Sequence, residues 1–180
     1  MKVIHEFPEG LVSIFPSIFG DERGFFLESF NQEKYESFLT GYSFVQDNLS
    51  KSKKGVLRGL HFQAPPFDQG KLVQVIQGSV LDVAVDIRKN SPSYGKHFKV
   101  ILNDLDRNQL WIPPGFAHGF ASLEDDTIFS YKCTNTYSKA HEGCLLWNDP
   151  DLNIDWGIDR AIVSEKDQEG TLLKEFKSPF

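Results

Sequence analysis

The sequence predicts an all-β fold, a sandwich or closed barrel with a few short helices. Three observations carry that reading. Turn-forming clusters recur at short intervals, from Phe19-Gly20-Asp21 and Lys54-Gly55 through Pro65-Pro66, Gln77-Gly78 and Asn90-Ser91-Pro92 to Pro113-Pro114-Gly115 and Asp149-Pro150. The runs between them are short and rich in β-branched and aromatic residues. One stretch alone, residues 31–39, has helical character along the body of the chain.

Taken in order, residues 11–18 read as a first strand, followed by the 31–39 segment "NQEKYESFL" with Asn31 as its cap and its charges on one side. Strands follow at 44–50 and 55–63. Residues 71–87 alternate most clearly. Leu72, Gln74 and Ile76 interleave with Val73 and Val75, and Gln77-Gly78 supplies a turn. Leu81, Val83, Val85 and Ile87 then interleave with Val80, Asp82, Ala84 and Asp86, so the segment reads as a hairpin. Further strands are predicted at 96–102, 109–112, 117–123, 127–137 and 143–147, with a short helix in the tail at 164–176. Asp82 and Asp86 share one face of their strand. That face is either turned to solvent or lines a polar barrel interior, and periodicity is compatible with both.

The chain has 180 residues, 40% of them hydrophobic and 16 of them Phe, which suits a single domain spanning 1–180 with a substantial core. A net charge of −6 argues against a nucleic-acid backbone as partner, while a few local cations can still hold a small phosphorylated ligand. Two cysteines, Cys133 and Cys144, are too few for a disulfide scaffold. The N-terminal "MKVIHEFPEG" has no apolar signal core, and no apolar run approaches the ~20 residues of a membrane span. A cytoplasmic protein without membrane contact is expected.

Residues 55–65, "GVLRGLHFQAP", place Arg58 and His61 inside an apolar run. They have opposite parity, so a regular strand would face them apart. If both meet one ligand the strand must bulge or twist, with Gly59 the natural place, or Arg58 must curl back from a rim. Of the five histidines, His5, His97 and His141 lie in polar or terminal surroundings, whereas His61 and His118 sit beside glycines in apolar stretches. An ordinary core histidine is the default for such a position; the neighbouring glycines and polar groups shift the balance towards a ligand site.

"IPPGFAHGF", 112–120, fits the second motif of the cupins, P-x-G-x-x-H, which are small jelly-roll β-barrels. A metal-binding cupin also needs H-x-H and a nearby glutamate. Here the corresponding stretch is His61-Phe62-Gln63, with no Glu in the next ten residues. Three good ligands are the minimum for a catalytic transition metal, so no metal and no other cofactor are expected.

A longer ordered set of segments is more specific: "FGDERGFFLESFN" (19–31), "FVQDNLSKSKKGVLRGLHFQ" (44–63), "QGKLVQVIQGSVLDVAVDIRKNSPSYGK" (69–96), "WIPPGFAHGFASL" (111–123), "YKCTNTY" (131–137), "WNDPDLNIDW" (147–156) and "SEKD" (164–167). In these the chain resembles the dTDP-4-dehydrorhamnose 3,5-epimerase family. The resemblance implies a cupin-like jelly roll and epimerisation at C3 and C5 of dTDP-4-dehydro-6-deoxy-D-glucose, by removal and return of protons beside the 4-keto group. It implies His61 as base, Asp167 as its orienting partner and Tyr131 as proton donor. It places Lys71 near the keto oxygen, where a fixed ammonium stabilises an enolate. His118 and Tyr137 match substrate contacts, and Arg58 and Arg23 match diphosphate contacts. Glu28, Gln46, Asp47, Asn48, Glu142 and Lys166 match further substrate-contacting positions. Arg23 and Glu28 fall in a segment that the family lends to a neighbouring subunit, which implies a homodimer with shared sites.

On residue type alone Asp167 would be a surface helix cap, and the two tyrosines ordinary strand aromatics. Phe62 stands where many relatives carry Tyr, and opposite parity turns it away from His61. The "QEGTLL" after Asp167 lacks a proline that the family leads one to expect, which bears on how Asp167 is held. Other readings stay open: a C3-only or C5-only epimerase, a ketoisomerase, a non-catalytic sugar-nucleotide-binding cupin and a metal-dependent cupin dioxygenase.

Overall fold

The computed structural model describes residues 2–7, 10–39 and 41–180, leaving out the side chains of residues 2–6 and 38, so the expected surface placement of His5 lies outside the described residues. In chain order the strands are β1 (Lys2–Glu6), β2 (Val12–Phe15), β3 (Ile18–Asp21), β4 (Gly24–Leu27), β5 (Gln46–Ser52), β6 (Val56–Gln63), β7 (Lys71–Gln77), β8 (Ser79–Asp86), β9 (His97–Asn103), β10 (Gln109–Ile112), β11 (Phe116–Ser122), β12 (Thr127–Cys133), β13 (Glu142–Cys144) and β14 (Ile162–Val163). The helices are α1 (Gln32–Leu39) and α2 (Glu165–Gln168). Asn31 caps α1, its Oδ1 accepting from the Lys34 N–H at 3.2 Å. Among the described residues no helix is long and apolar enough to cross a membrane.

Two sheets face each other. One runs β1-β2-β10-β7-β12-β5, the other β13-β6-β11-β8-β9, with β14 parallel to β6. Between them lies an apolar core that includes Val73, Val75, Val80, Ala84, Leu110, Phe120 and Phe129. The outer face of the second sheet is also covered. Leu57, Leu60, Phe62, Leu81, Val83 and Val85 pack there against Leu145, Leu152, Trp156 and the C-terminal Phe176 and Phe180. This double coverage explains why every residue of β8 is buried. It also settles Asp82 and Asp86, which are fully buried.

The 71–87 segment is not a hairpin. β7 pairs with β10 and β12, whereas β8 pairs with β11 and β9 in the opposite sheet. Gln77-Gly78 is a corner at which the chain changes sheets. Gly78 holds φ +85, its N–H is taken by Asp104 Oδ2 at 2.8 Å, and a Cβ there would meet Thr127 Oγ1 at 2.6 Å. The predicted strand 11–18 breaks at Pro16, after which β3 and β4 form a separate exposed hairpin. The 127–137 strand ends at Cys133.

Asp86 shows how a buried carboxylate is held. Arg88 donates to it from its backbone N and Nε (2.9 Å each) and from Nη2 (2.7 Å), and the Ser91 and Ser93 hydroxyls each donate at 2.5 Å. Burial works against the charge, but these donors hold the carboxyl at about 2 against an ordinary 3.8. The folded pKa is the lower one, so the stabilisation, about 2 kcal/mol, is present above pH 3.8 and fades as pH falls towards about 2. Asp86→Asn is expected to lose at least this much in urea denaturation at pH 7, with the gap to wild type closing below pH 3.8.

Candidate active site

β6 solves its parity conflict with a bulge. His61 lies opposite His118 and Arg58 opposite Phe120, so three steps on β6 match two on β11. The extra residue falls at Gly59–Leu60, whose peptide bond is cis. Gly59 has φ +131, and a Cβ there would lie 2.5 Å from Gly119 Cα, so neither conformation nor space admits a side chain. As a result Arg58, His61 and Gln63 face the interior while Leu57, Leu60 and Phe62 face the outer core. Phe62 points away from His61 as its parity requires, its ring 5.3 Å from Phe176.

Two adjoining cavities of about 300 and 260 Å³ open between the sheets and share Asn48, His61, Lys71 and Tyr131. Gln46, Gln63, Gln69, Tyr137 and Glu142 line one; Ser50, Arg58, His118, Phe120 and Phe129 line the other. Tyr131 and Lys71 come from the first sheet, His61 and His118 from the second. A ligand between the sheets therefore meets the imidazole of His61 and the phenol of Tyr131 from opposite sides.

His61 Nε2 is 2.6 Å from Asp167 Oδ1. The other oxygen of Asp167 accepts the Gly59 N–H, at the bulge, at 3.2 Å. Burial raises the Asp167 pKa, but the bonds from His61, Gly59 and Ser164 outweigh it and hold the carboxyl below its ordinary value. Being ionised, Asp167 only accepts, so His61 Nε2 is the donor and Nδ1 carries the free lone pair. Asp167 is both a member of a capped helix, its N–H bonded to Ser164 Oγ at 3.2 Å, and a buried partner, 3% exposed. Where that proline is missing, Gly170 lies so closely on the Leu145–Leu146 backbone that a Cβ would come within 2.6 Å. Thr171 then bonds Cys144 O and Leu146 N, at 2.9 Å each, and so ties the tail to β13.

Lys71 is 9% exposed and its side chain makes no hydrogen bond or ion pair among the described residues; burial pulls its pKa below the usual lysine value. Tyr131 is half-buried, and burial raises its phenol pKa. His118 is held by Asp82, with Nε2 at 2.9 and 3.1 Å from its two oxygens, and burial lowers the imidazole pKa. Asp82 is not among the predicted site residues. The signal for it is conditional: an aspartate on that face needs a partner once the face is buried.

Arg58 sits at the rim, Nε 3.3 Å from Ser52 Oγ. Gln46 and Asn48 point inward from β5 and bond each other at 3.0 Å. Tyr137 lies beyond the end of β12, so strand parity does not place it. Its N–H bonds Gln46 Oε1 at 2.9 Å and its hydroxyl donates to Glu142 Oε2 at 3.0 Å. Lys166 pairs with the other oxygen of Glu142. Five predicted residues do not line the cavities: Asp167 stands behind His61, Lys166 is on Glu142, and three others lie away from the opening. Asp47 has the opposite parity on β5 and pairs with Lys132 on the outer face at 3.0 Å. Arg23 pairs with Asp21 in the exposed β3–β4 hairpin, and Glu28, just after it, pairs with Lys34 at 2.7 Å.

For a metal, the donor atoms of His61, Cys144 and Asp167 lie within 4.8 Å of one another. The position of a cupin's second histidine is taken by Gln63, whose Oε1 accepts the Ser138 N–H at 2.9 Å.

Comparison with known proteins adds a family to this geometry. Residues 8–175 match the profile described as dTDP-4-dehydrorhamnose 3,5-epimerase. The epimerase of that name from Shigella flexneri is 53% identical over 172 residues, covering 94% of each chain. The crystal structure of a dTDP-6-deoxy-D-glucose-3,5-epimerase from Legionella pneumophila, in complex with dTDP-4-keto-L-rhamnose, superposes with a TM-score of 0.94 at 47% identity, covering 98% of this chain and 94% of that one. A 3′-monoepimerase from Streptomyces bikiniensis, bound to dTDP-quinovose, shares the fold at a TM-score of 0.90 and 32% identity over 96% of this chain and 88% of its own.

Proposed function

The chain belongs to the dTDP-4-dehydrorhamnose 3,5-epimerase family, and from that premise we propose that it is an isomerase that inverts C3 and C5 of dTDP-4-dehydro-6-deoxy-D-glucose. The observation that carries the reading is the ionised Asp167 behind His61, 2.6 Å away, with Tyr131 on the facing sheet. His61 Nδ1 takes a proton from the carbon beside the ketone. The imidazolium so formed is stabilised by Asp167. Lys71, whose amine has no counter-ion in contact among the described residues, is placed to meet, as an ammonium, the negative charge that develops on the enolate oxygen. Tyr131 then returns a proton from the opposite side. A phenol with raised pKa is a weak acid, but the enolate is more basic still. Each step uses side chains alone and calls for no cofactor.

Arg58 at the rim is placed for the diphosphate, where a planar cation suits two phosphate oxygens. The Tyr137–Glu142–Lys166 chain borders the same opening. The reading includes a homodimer. Phe19, Phe25 and Phe26 of the β3–β4 hairpin are 66%, 56% and 70% exposed, and Leu49 on the outer face of β5 is 71% exposed. A second copy that covers these rings would bring Arg23 and Glu28 towards its own cavity. Cys133 and Cys144 are unpaired, in keeping with a cytoplasmic enzyme.

Incubation with the 4-keto sugar nucleotide in deuterated water, followed by NMR, tests the reading. Deuterium is expected at both C3 and C5, with inverted configuration at each. Label and inversion at C3 alone would instead make the chain a monoepimerase, like the Streptomyces bikiniensis relative in kind. Tight substrate binding with no label at either carbon would remove the enzyme reading altogether.

A further inference from the structure

Cys144 has no part in the mechanism above, yet it is built into the back of the base. On β13 it lies directly opposite His61 of β6, and cross-strand neighbours put their side chains on one face. Asp167 enters from α2 between β13 and β14, so an imidazole nitrogen, a thiol sulfur and a carboxylate oxygen gather within 4.8 Å of one another. Nitrogen, sulfur and oxygen are the three donor types of zinc sites. Zinc–ligand bonds of ~2.0–2.3 Å at tetrahedral angles put such donors about 3.3–3.6 Å apart. To reach that, the His61–Asp167 contact opens from 2.6 Å and the widest pair closes from no more than 4.8 Å. Water can take the fourth position. Of the three, His61 lines the cavities and its side chain is 32% exposed, Cys144 is half-buried and Asp167 is buried.

We propose that His61, Cys144 and Asp167 form an inhibitory site for a thiophilic divalent cation, Zn2+. The proton balance makes the site self-consistent. Cys144 releases one proton to solvent and binds as thiolate. The His61 proton leaves Nε2, which becomes a ligand, and appears on Nδ1, as a neutral metal-bound imidazole requires. With the Asp167 carboxylate the site sums to zero charge, which suits a half-buried position. The effect on catalysis rests on His61 being the base. The nitrogen that should accept the sugar's proton already carries one, while the cavity stays open. Inhibition therefore lowers kcat and leaves KM in place.

The test is titration with Zn2+ at free concentrations fixed by a metal buffer, on wild type, Cys144→Ser and Cys144→Ala. Wild type should lose kcat at constant KM and regain it with a chelator. Either variant should keep its untreated activity and need at least ~10-fold more Zn2+, the lower end of what loss of even an outer-sphere partner costs. Binding is read separately with Co2+, whose thiolate charge-transfer absorption should appear with wild type and vanish in the variants. That signal does not depend on turnover, so it stands even if the epimerase reading fails. It also needs no variant to fold. Absence of the band in wild type, a rise in KM at constant kcat, or variants as zinc-sensitive as wild type would each overturn the site.

Discussion

His61→Ala is expected to lower kcat by about 10²–10⁴-fold, the usual contribution of a positioned general base, with a much smaller change in KM. The cavity keeps Lys71, Arg58 and Tyr131, so substrate binding survives. Deuterium wash-in at C3 and C5 should fall in parallel, because no other group in the proposal removes these protons. Asp167→Asn tests the same unit from behind. The amide offers either an acceptor or a donor to Nε2, and the Gly59 N–H needs the acceptor as well, so the tautomer with Nδ1 free is no longer enforced. Its kcat should fall by a comparable factor. The double variant should be scarcely worse than either single one, as residues that act as a unit require. Wild-type exchange in His61→Ala would end the assignment.

Tyr131→Phe is expected to separate exchange from inversion. His61 and Lys71 still form the enolate, but nothing returns a proton from the other side. Net epimerisation should drop by about 10²–10⁴-fold, while deuterium still enters from the His61 side with configuration retained. NMR of recovered starting material shows label without epimer. Inversion at the wild-type rate would remove Tyr131 from the proposed mechanism, and loss of exchange together with inversion would assign it to enolate formation instead.

The sequence made some of this visible and hid the rest for physical reasons. Strand positions were legible because alternation is a local property of the pleat, and the bulge at Gly59 was legible because Arg58 and His61 disagreed in parity. The partners of a strand are not local. Residues 71–87 have the alternation of a hairpin, but only tertiary pairing shows that Gln77-Gly78 turns a corner into another sheet. Asp82 and Asp86 stayed ambiguous for the same reason: they share a face with Val80 and Ala84, and its burial depends on the facing sheet. Tyr137, a substrate contact by resemblance, lies past the end of β12, where two hydrogen bonds, to Gln46 and Glu142, hold it at the cavity. Asp47, between two inward residues of a regular edge strand, faces outward by the same parity rule that served elsewhere. The resemblance to a family supplied Asp167, a residue whose type alone says helix cap.

The contact between His61 and Asp167 spans 106 positions of sequence. On a ribosome that adds ~5–20 residues per second, the histidine precedes its carboxylate by roughly 5–20 s. For that interval a nascent chain carries an imidazole with nothing to fix its tautomer. A chain cut short before Asp167 stays in that condition permanently. On the proposed role of His61 as base, turnover waits for the tail of the polypeptide, and truncated products are excluded from it.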